Sequence, residues 1–278
     1  MATKKTALVT GASTGIGEAA ARLLHQRGWK VYAGVRNMEA AQNAEKIGLS
    51  PVILDVVKAE HIAAAAQKIL SETGGRLDGL VNNAGVAIAA PMEFVPLEEL
   101  RDQFEVNVVG LTAVTQAFLA ALRQCKGRIV NVGSISGILT TPLMGPYCAS
   151  KYAVEAVSDA LRQELAPHGV KVSLIQPGRI ITPIWQKSMQ RAETNEEKLP
   201  EEGKKLYGKL IAAVKKSVKH VEKDALPVEP VAEAVWHALT AAEPKSRYLV
   251  AKKSFFIKLI ANLPDKLRDS LIRKQFGG

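Results

Sequence analysis

Short β-branched runs alternate with Ala-rich stretches of helical periodicity along most of the chain, and this alternation constrains the fold more than any other feature. Residues 6–10, 30–35, 52–54, 79–82, 128–132 and 170–175 read as strands, with 248–250 as a seventh. Residues 18–27, 39–47, 59–72, 97–123 and 147–166 read as the helices between them, and Gly28, Gly48 and Gly74 stop the first three. Strands that are apolar along their whole length belong to a parallel sheet covered on both faces. Right-handed crossovers then make the fold doubly wound. The 278 residues show no composition break, so 1–278 reads as one α/β domain. Residues 179–226 interrupt the alternation as a long insert, in the position where such folds carry substrate-covering elements. Residues 252–278 form a helical tail.

Composition narrows the class. Cys125 and Cys148 are the only cysteines, too few for a disulfide framework and without metal-ligand spacing, so no metal is expected and a reducing, cytoplasmic setting fits. Met1 to Lys5 is polar, which predicts no secretory signal, and the absence of about 18 consecutive apolar residues predicts no transmembrane helix. The net charge of +10 sits late: residues 204–223 carry seven Lys and one Glu, and residues 252–278 carry seven Lys or Arg and two Asp. No aromatic–basic interleaving or nucleic-acid signature accompanies it, so a nucleic-acid partner is not expected.

The first strand runs into Gly11-Ala12-Ser13-Thr14-Gly15-Ile16-Gly17. Glycines there permit a tight turn and let backbone N–H groups approach a pyrophosphate at a helix N-terminus, which makes the fold Rossmann-type. The Gly-x-x-x-Gly-x-Gly spacing, followed in order by Asn82-Asn83-Ala84-Gly85, Asn107, Ser134, Tyr147-x-x-x-Lys151 and Pro177-Gly178, resembles the short-chain dehydrogenase/reductase family over residues 5–183. Around residues 145–155 it is similar to the retinol and hydroxysteroid dehydrogenase branch. The resemblance implies a nicotinamide-dependent oxidoreductase that moves a hydride between the cofactor and an alcohol or carbonyl carbon. It leans toward a bulky hydrophobic substrate, with a 3-oxoacyl thioester as the alternative. A non-catalytic cofactor-binding regulator is the alternative of another class.

Tyr147 and Lys151 are four residues apart and share a helix face. A phenol's unperturbed pKa of about 10 is too high for a base at neutral pH, and a nearby ammonium is expected to lower it. Ser134 lies at the end of strand five, the ligand-binding edge of a parallel sheet. The resemblance makes Tyr147 the general acid/base and has Lys151 lower its pKa and bond the nicotinamide ribose. It places Ser134 on the substrate oxygen and has Asn107 hold a water linking Lys151 to solvent. It also assigns cofactor contacts to Gly11, Ser13, Thr14, Gly15, Ile16, Gly17, Asp55, Asn83, Ala84, Gly85, Pro177, Gly178 and Thr182. Asn82 is expected to tie neighbouring strands together.

Nicotinamide specificity turns on the end of strand two, where NAD-binding folds place an acid and an Arg accommodates a 2′-phosphate. Val35 stands at the acid's position and Arg36 follows, which predicts NADP(H), although Thr14 occupies the turn position that is basic in many NADP-preferring relatives. Leu206, Leu210, Val214, Val218 and Val221 recur at helical spacing among lysines, and residues 254–263 are apolar before Pro264. Three readings stand for these late segments: packing on the protein or a neighbouring subunit, a lid over an apolar substrate, or a peripheral membrane contact. The resemblance implies a homodimer or homotetramer through the helices at 97–123 and 147–166.

Overall fold

The computed structural model describes residues 4–219 and 225–275. Its strands are β1 (Thr6–Thr10), β2 (Lys30–Val35), β3 (Ser50–Ile53), β4 (Gly79–Asn82), β5 (Arg128–Val132), β6 (Lys171–Pro177) and β7 (Arg247–Val250). They form one sheet in the order β3-β2-β1-β4-β5-β6-β7, and every pairing is parallel. The described helices are α1 (Gly15–Gln26), α2 (Met38–Lys46), α3 (Ala59–Thr73), α4 (Leu97–Phe104), α5 (Leu111–Cys125), α6 (Gly145–Leu165), α7 (Pro183–Glu197), α8 (Glu201–Lys219), α9 (Glu229–Thr240), α10 (Ser254–Ala261) and α11 (Asp265–Gln275).

The two-residue repeat of the strands divides the core. Ala7 and Val9 of β1 face one side, with Ala20 and Leu24 of α1, Ala41 of α2 and Val235 of α9. Leu8 faces the other, with Ile62 and Ile69 of α3 and Val114, Phe118 and Leu122 of α5. Edge-to-face packing of Trp29 on Trp236, centroids 6.3 Å apart, ties α9 to the turn before β2. The β6–β7 edge is tied to α6 by charge. Arg247 donates to Glu155 at 2.8 Å and to Asp159 at 2.6 Å, while Gln176 donates to the other Glu155 oxygen at 2.7 Å. Arg247 holds the Asp159 carboxyl below its usual range.

Several boundaries differ from the sequence expectation. Helix α1 begins at Gly15 rather than Glu18, because extended Thr14 (φ −156°) is its N-cap and the Gly-Ile-Gly of weak helix propensity forms its first turn. The helical run from Leu97 reaches Cys125, but Glu105–Gly110 take π geometry, a widening of the turn common at functional sites. That run is long and apolar enough to cross a membrane by length and composition, contrary to the expectation that no helix would be. Val114, Phe118 and Leu122 are nevertheless fully enclosed against the sheet, so it serves here as a core helix.

The insert is a helical pair, α7 and α8, closed at its base by a bridge between Ile180 and Leu226. The inward face of α8 is shifted from the one expected. Gly203 and Ile211 are buried, whereas Leu206 is exposed. The rotation follows Tyr207, whose ring meets Phe94 edge to face and whose hydroxyl donates to Glu93 at 2.8 Å. The Val218 side chain and Val221 lie outside the described residues. Replacing fully buried Phe118 by Ala should cost about 3–5 kcal/mol, seen in urea denaturation as a lower midpoint with an unchanged slope.

Candidate active site

The site lies where β1 and β4 run side by side and the chain leaves them in different directions, outside the C-terminal ends of the strands. The turn after β1 has positive φ at Gly11 (62°) and Gly15 (60°). A Cβ on Gly17 would stand 2.3 Å from the Gly11 carbonyl oxygen and 2.4 Å from the Asn83 amide nitrogen, so only glycine closes this turn. Thr14 makes no side-chain cap, which leaves the first amides of α1 available to an anion such as a pyrophosphate. Ser13 and Thr14 are exposed beside them.

The turn is held from β4. The backbone N–H groups of Asn83 and Ala84 both donate to the Thr10 hydroxyl at 3.0 Å, and the Asn83 amide donates to the carbonyls of Thr10 (3.0 Å) and Gly11 (3.1 Å). Asn82 donates to Asn131 on β5 and to Thr115 on α5, both at 2.9 Å, which is the strand tie expected from the sequence.

Ser134, Tyr147 and Lys151 line one cavity, together with Ile16, Asn83, Gly85, Pro177, Gly178 and Thr182. Ser134 follows the end of β5 in extended conformation, and its hydroxyl accepts the Ser136 N–H at 3.1 Å to start a short turn. Pro146 in the first turn of α6 fixes where that helix begins, and Tyr147 and Lys151 follow on its buried face. The Lys151 ammonium donates to the Val132 carbonyl at 2.9 Å and sits 5.7 Å from the centre of the Tyr147 ring.

Burial dominates the electrostatics of this pair. It pushes the Tyr147 phenol up to about 12, with the Ser134 hydroxyl pulling the other way, and pushes the Lys151 ammonium down to about 8. The expected lowering of the Tyr147 pKa by Lys151 is therefore reversed. Burial of the phenolate sets the direction, and the Lys151 ammonium is bonded to a carbonyl rather than to the hydroxyl.

Asn107 sits in the π segment, 1% exposed. Both of its amide hydrogens are donated to protein, to the Val86 carbonyl and the Ser150 hydroxyl, each at 3.0 Å, and its oxygen accepts the Val86 N–H at 2.9 Å. Its side chain thus braces the loop after β4 against α6 and has no donor left for a water.

Other expected contacts lie at the rim. Arg36 is exposed directly after β2, and among the described residues it makes no ion pair, while neighbouring Asn37 caps α2. Asp55 lies two residues beyond β3 rather than at its end, and its carboxylate accepts the Val57 N–H at 3.3 Å instead of capping α3, whose N-cap is Lys58. Among the described residues no cluster of His, Cys, Asp or Glu could hold a metal.

The sequence places a substrate-covering insert at residues 179–226 but does not single out the residues of the cover. Ile184 and Trp185 of α7 close the cavity to about 70 Å³, with the Trp185 ring edge to face on Tyr147 at 6.4 Å. Ligand sites run to roughly 300–1,000 Å³, so the cavity under this cover is smaller than a typical ligand site. Trp185, one of three tryptophans and three residues past Thr182, was the available signal.

Residues 5–193 match the family model for short chain dehydrogenases. The chain belongs to that family. This short-chain dehydrogenase is thus an oxidoreductase acting on alcohol and carbonyl groups. It is 39% identical over 278 residues, 96% of each chain, to an NADPH-dependent 3-dehydrocapnine reductase of Ornithobacterium rhinotracheale. It is 36% identical over 279 residues to retinol dehydrogenase 16 of Mus musculus, covering 96% of this chain and 87% of that one. Its fold superposes with a TM-score of 0.75 and 27% identity on a short chain dehydrogenase from Burkholderia cenocepacia in complex with NADP, over 97% of each chain. In this dehydrogenase, Gly17→Ala should lower stability by about 1–3 kcal/mol through overpacking against backbone, measured as a fall in melting temperature, whereas Ala19→Gly on the same helix should lower it by no more than about 1 kcal/mol.

Proposed function

We propose that this short-chain dehydrogenase is an NADPH-preferring reductase of a bulky apolar ketone or aldehyde. The convergence of Ser134, Tyr147 and Lys151 in a cavity whose other walls are mostly apolar, Val86, Val132, Ile180, Ile184 and Trp185 among them, with Asn83 and Thr182 as further polar members, carries the reading. The relatives support it: one is named for NADPH and a 3-dehydro compound, another for retinol. The glycine turn, with its uncapped amides and the space that a Gly17 Cβ would fill, fits the pyrophosphate of a dinucleotide. Arg36, directly after β2 and without an ion pair among the described residues, stands where a 2′-phosphate is received. When bound, the cofactor supplies the hydride that the carbonyl carbon accepts.

The protein's part is the proton. Tyr147, protonated at neutral pH, gives its phenolic hydrogen to the substrate oxygen as negative charge develops there. Ser134 donates a hydrogen bond to the same oxygen. The Lys151 ammonium stabilises the phenolate left behind and returns a proton to it. Asn107 acts as a positioning residue through Ser150, whose hydroxyl donates to the Tyr147 carbonyl at 2.8 Å. A protonated phenol favours reduction; alcohol oxidation needs the phenolate and so an alkaline medium. The family resemblance adds a homodimer or homotetramer to the proposal.

Lys151 carries charge only below its value near 8, so kcat/KM for ketone reduction should hold level up to about pH 7.5 and fall about tenfold per unit above pH 8. Tyr147→Phe should lose at least about 10³-fold in kcat. Lys151→Met should abolish the alkaline limb along with most of kcat while leaving the protein no less stable. A lysine whose folded pKa is depressed costs stability below pH 8, and that cost is relieved between pH 8 and the unfolded value of 10.5. A level profile through pH 9.5 in the parent enzyme would remove Lys151 from this role.

NADPH should exceed NADH in kcat/KM, and Arg36→Ala should cost about 10- to 100-fold with NADPH and little with NADH. Equal use of both cofactors by the parent enzyme would sink the preference. A panel of steroid, retinal, short-ketone and 3-oxoacyl thioester substrates tests the apolar class.

A further inference from the structure

Helices α10 and α11 follow the last strand, and none of their described side chains is buried. Phe255 is 73% exposed, Phe256 58%, Leu259 51%, Leu267 57% and Leu271 46%. At helical spacing Phe255, Phe256 and Leu259 fall within an arc of about 100°, and Leu267 and Leu271 stand one turn apart. The two phenylalanine rings meet edge to face at 5.8 Å. Ile257, Ile260 and Ala261, on the other side of α10, are half-buried, so the helix is already seated on the protein and its outward apolar face is surplus to that packing.

Charge surrounds this face. Residues 252–278 carry seven basic side chains and two acidic ones. Lys258 and Arg268, the latter paired with Asp265 at 2.5 Å, also wall a cavity of about 390 Å³ between the two helices and the body, whose other side is Gly137, Ile138 and Tyr152. A second copy docked two-fold on the same face would set a strongly basic segment against itself, which like charge opposes. A surface that is apolar beneath and negative above satisfies both features. That is the headgroup region of a bilayer rich in anionic lipid, which takes aromatic and leucine side chains into the acyl boundary while phosphates meet the lysines.

We propose that α10 and α11 dock this enzyme on an anionic membrane surface, with Phe255, Phe256, Leu259, Leu267 and Leu271 entering the interface. Gly137 and Ile138 lie on the turn that begins at Ser134, and Tyr152 follows Lys151, so the docked side of the molecule borders the catalytic elements. Docking does not depend on which carbonyl compound is reduced.

The full chain should co-sediment with phosphatidylglycerol/phosphatidylcholine vesicles at least about tenfold more strongly than with pure phosphatidylcholine, and raised salt should weaken the binding. Phe255→Ser combined with Phe256→Ser should reduce binding at least about tenfold with unchanged thermal unfolding. Lys258→Gln with Lys266→Gln should reduce it for the anionic vesicles alone. No co-sedimentation with anionic vesicles, or full binding by the phenylalanine pair variant, overturns the proposal. A protomer–dimer equilibrium abolished by that variant, without vesicle binding, overturns it in favour of a contact between copies.

Discussion

The constraint on which the rest of the molecule depends is the reversal of winding between β1 and β4. From β1 the chain steps outward to β2 and β3, then returns across the sheet to lay β4 on the other side of β1. The loops leaving β1 and β4 must part, because their helices cover opposite faces. The resulting crevice is a place where backbone groups lose their partners, and the protein fills it with short polar side chains that bond backbone. Thr10 takes two N–H groups from the β4 loop, and Asn83 returns two bonds to the β1 turn. Because these bonds run to main chain, they fix the glycine turn rigidly without occupying its anion-facing amides. Any Cβ at Gly17 would break the same closure.

Beside that crevice the chemistry is set by desolvation rather than by a charge partner. Tyr147 and Lys151 are removed from water together, and burial drives each toward its neutral form. A nearby carboxylate would restore the lysine's charge and spend it. The acid one turn further along α6, Glu155, is committed instead to Gln176 and Arg247. Lys151 therefore keeps a pKa close to neutrality, where a group can both carry a proton and release it. The cost of this arrangement is a buried ammonium held by one carbonyl bond, a trade of stability for reactivity that active sites commonly make.

Features that depend on local spacing were legible in the sequence. Tyr147 and Lys151 had to share a face because helices repeat at 3.6 residues, and Ser134 had to meet them because it ends a central parallel strand. The features that stayed hidden depend on contacts between distant segments. The π turn at Glu105–Gly110 contains Asn107, which bonds Val86, twenty-one residues away. The face of α8 is chosen by Tyr207 against Phe94 and Glu93, more than a hundred residues back. The direction of the Tyr147 shift could not be read from a four-residue spacing, since the depth of burial comes from Trp185 and the sheet as well as from α6. Helix α1 began early because its first turn is glycine-rich, where propensity argues against helix and the β1–α1 junction overrides it.

The two basic segments that composition presents as one signal separate in the structure. In the insert, as with Arg268 and Asp265 in the tail, basic side chains enter the protein's own ion pairs: Lys204 with Glu201 and Lys215 with Glu196, the latter joining α8 to α7. Their charge contributes to holding the cover over the active site, and like other exposed pairs each contributes little by itself. In the tail, Lys258 stands in the same eight-residue helix as two phenylalanines and a leucine that point away from the body. Exposed aromatic surface loses by remaining in water, whereas the ammonium beside it is well solvated there. The first segment thus places part of its charge inside the fold, whereas the second keeps apolar and basic side chains together at the surface.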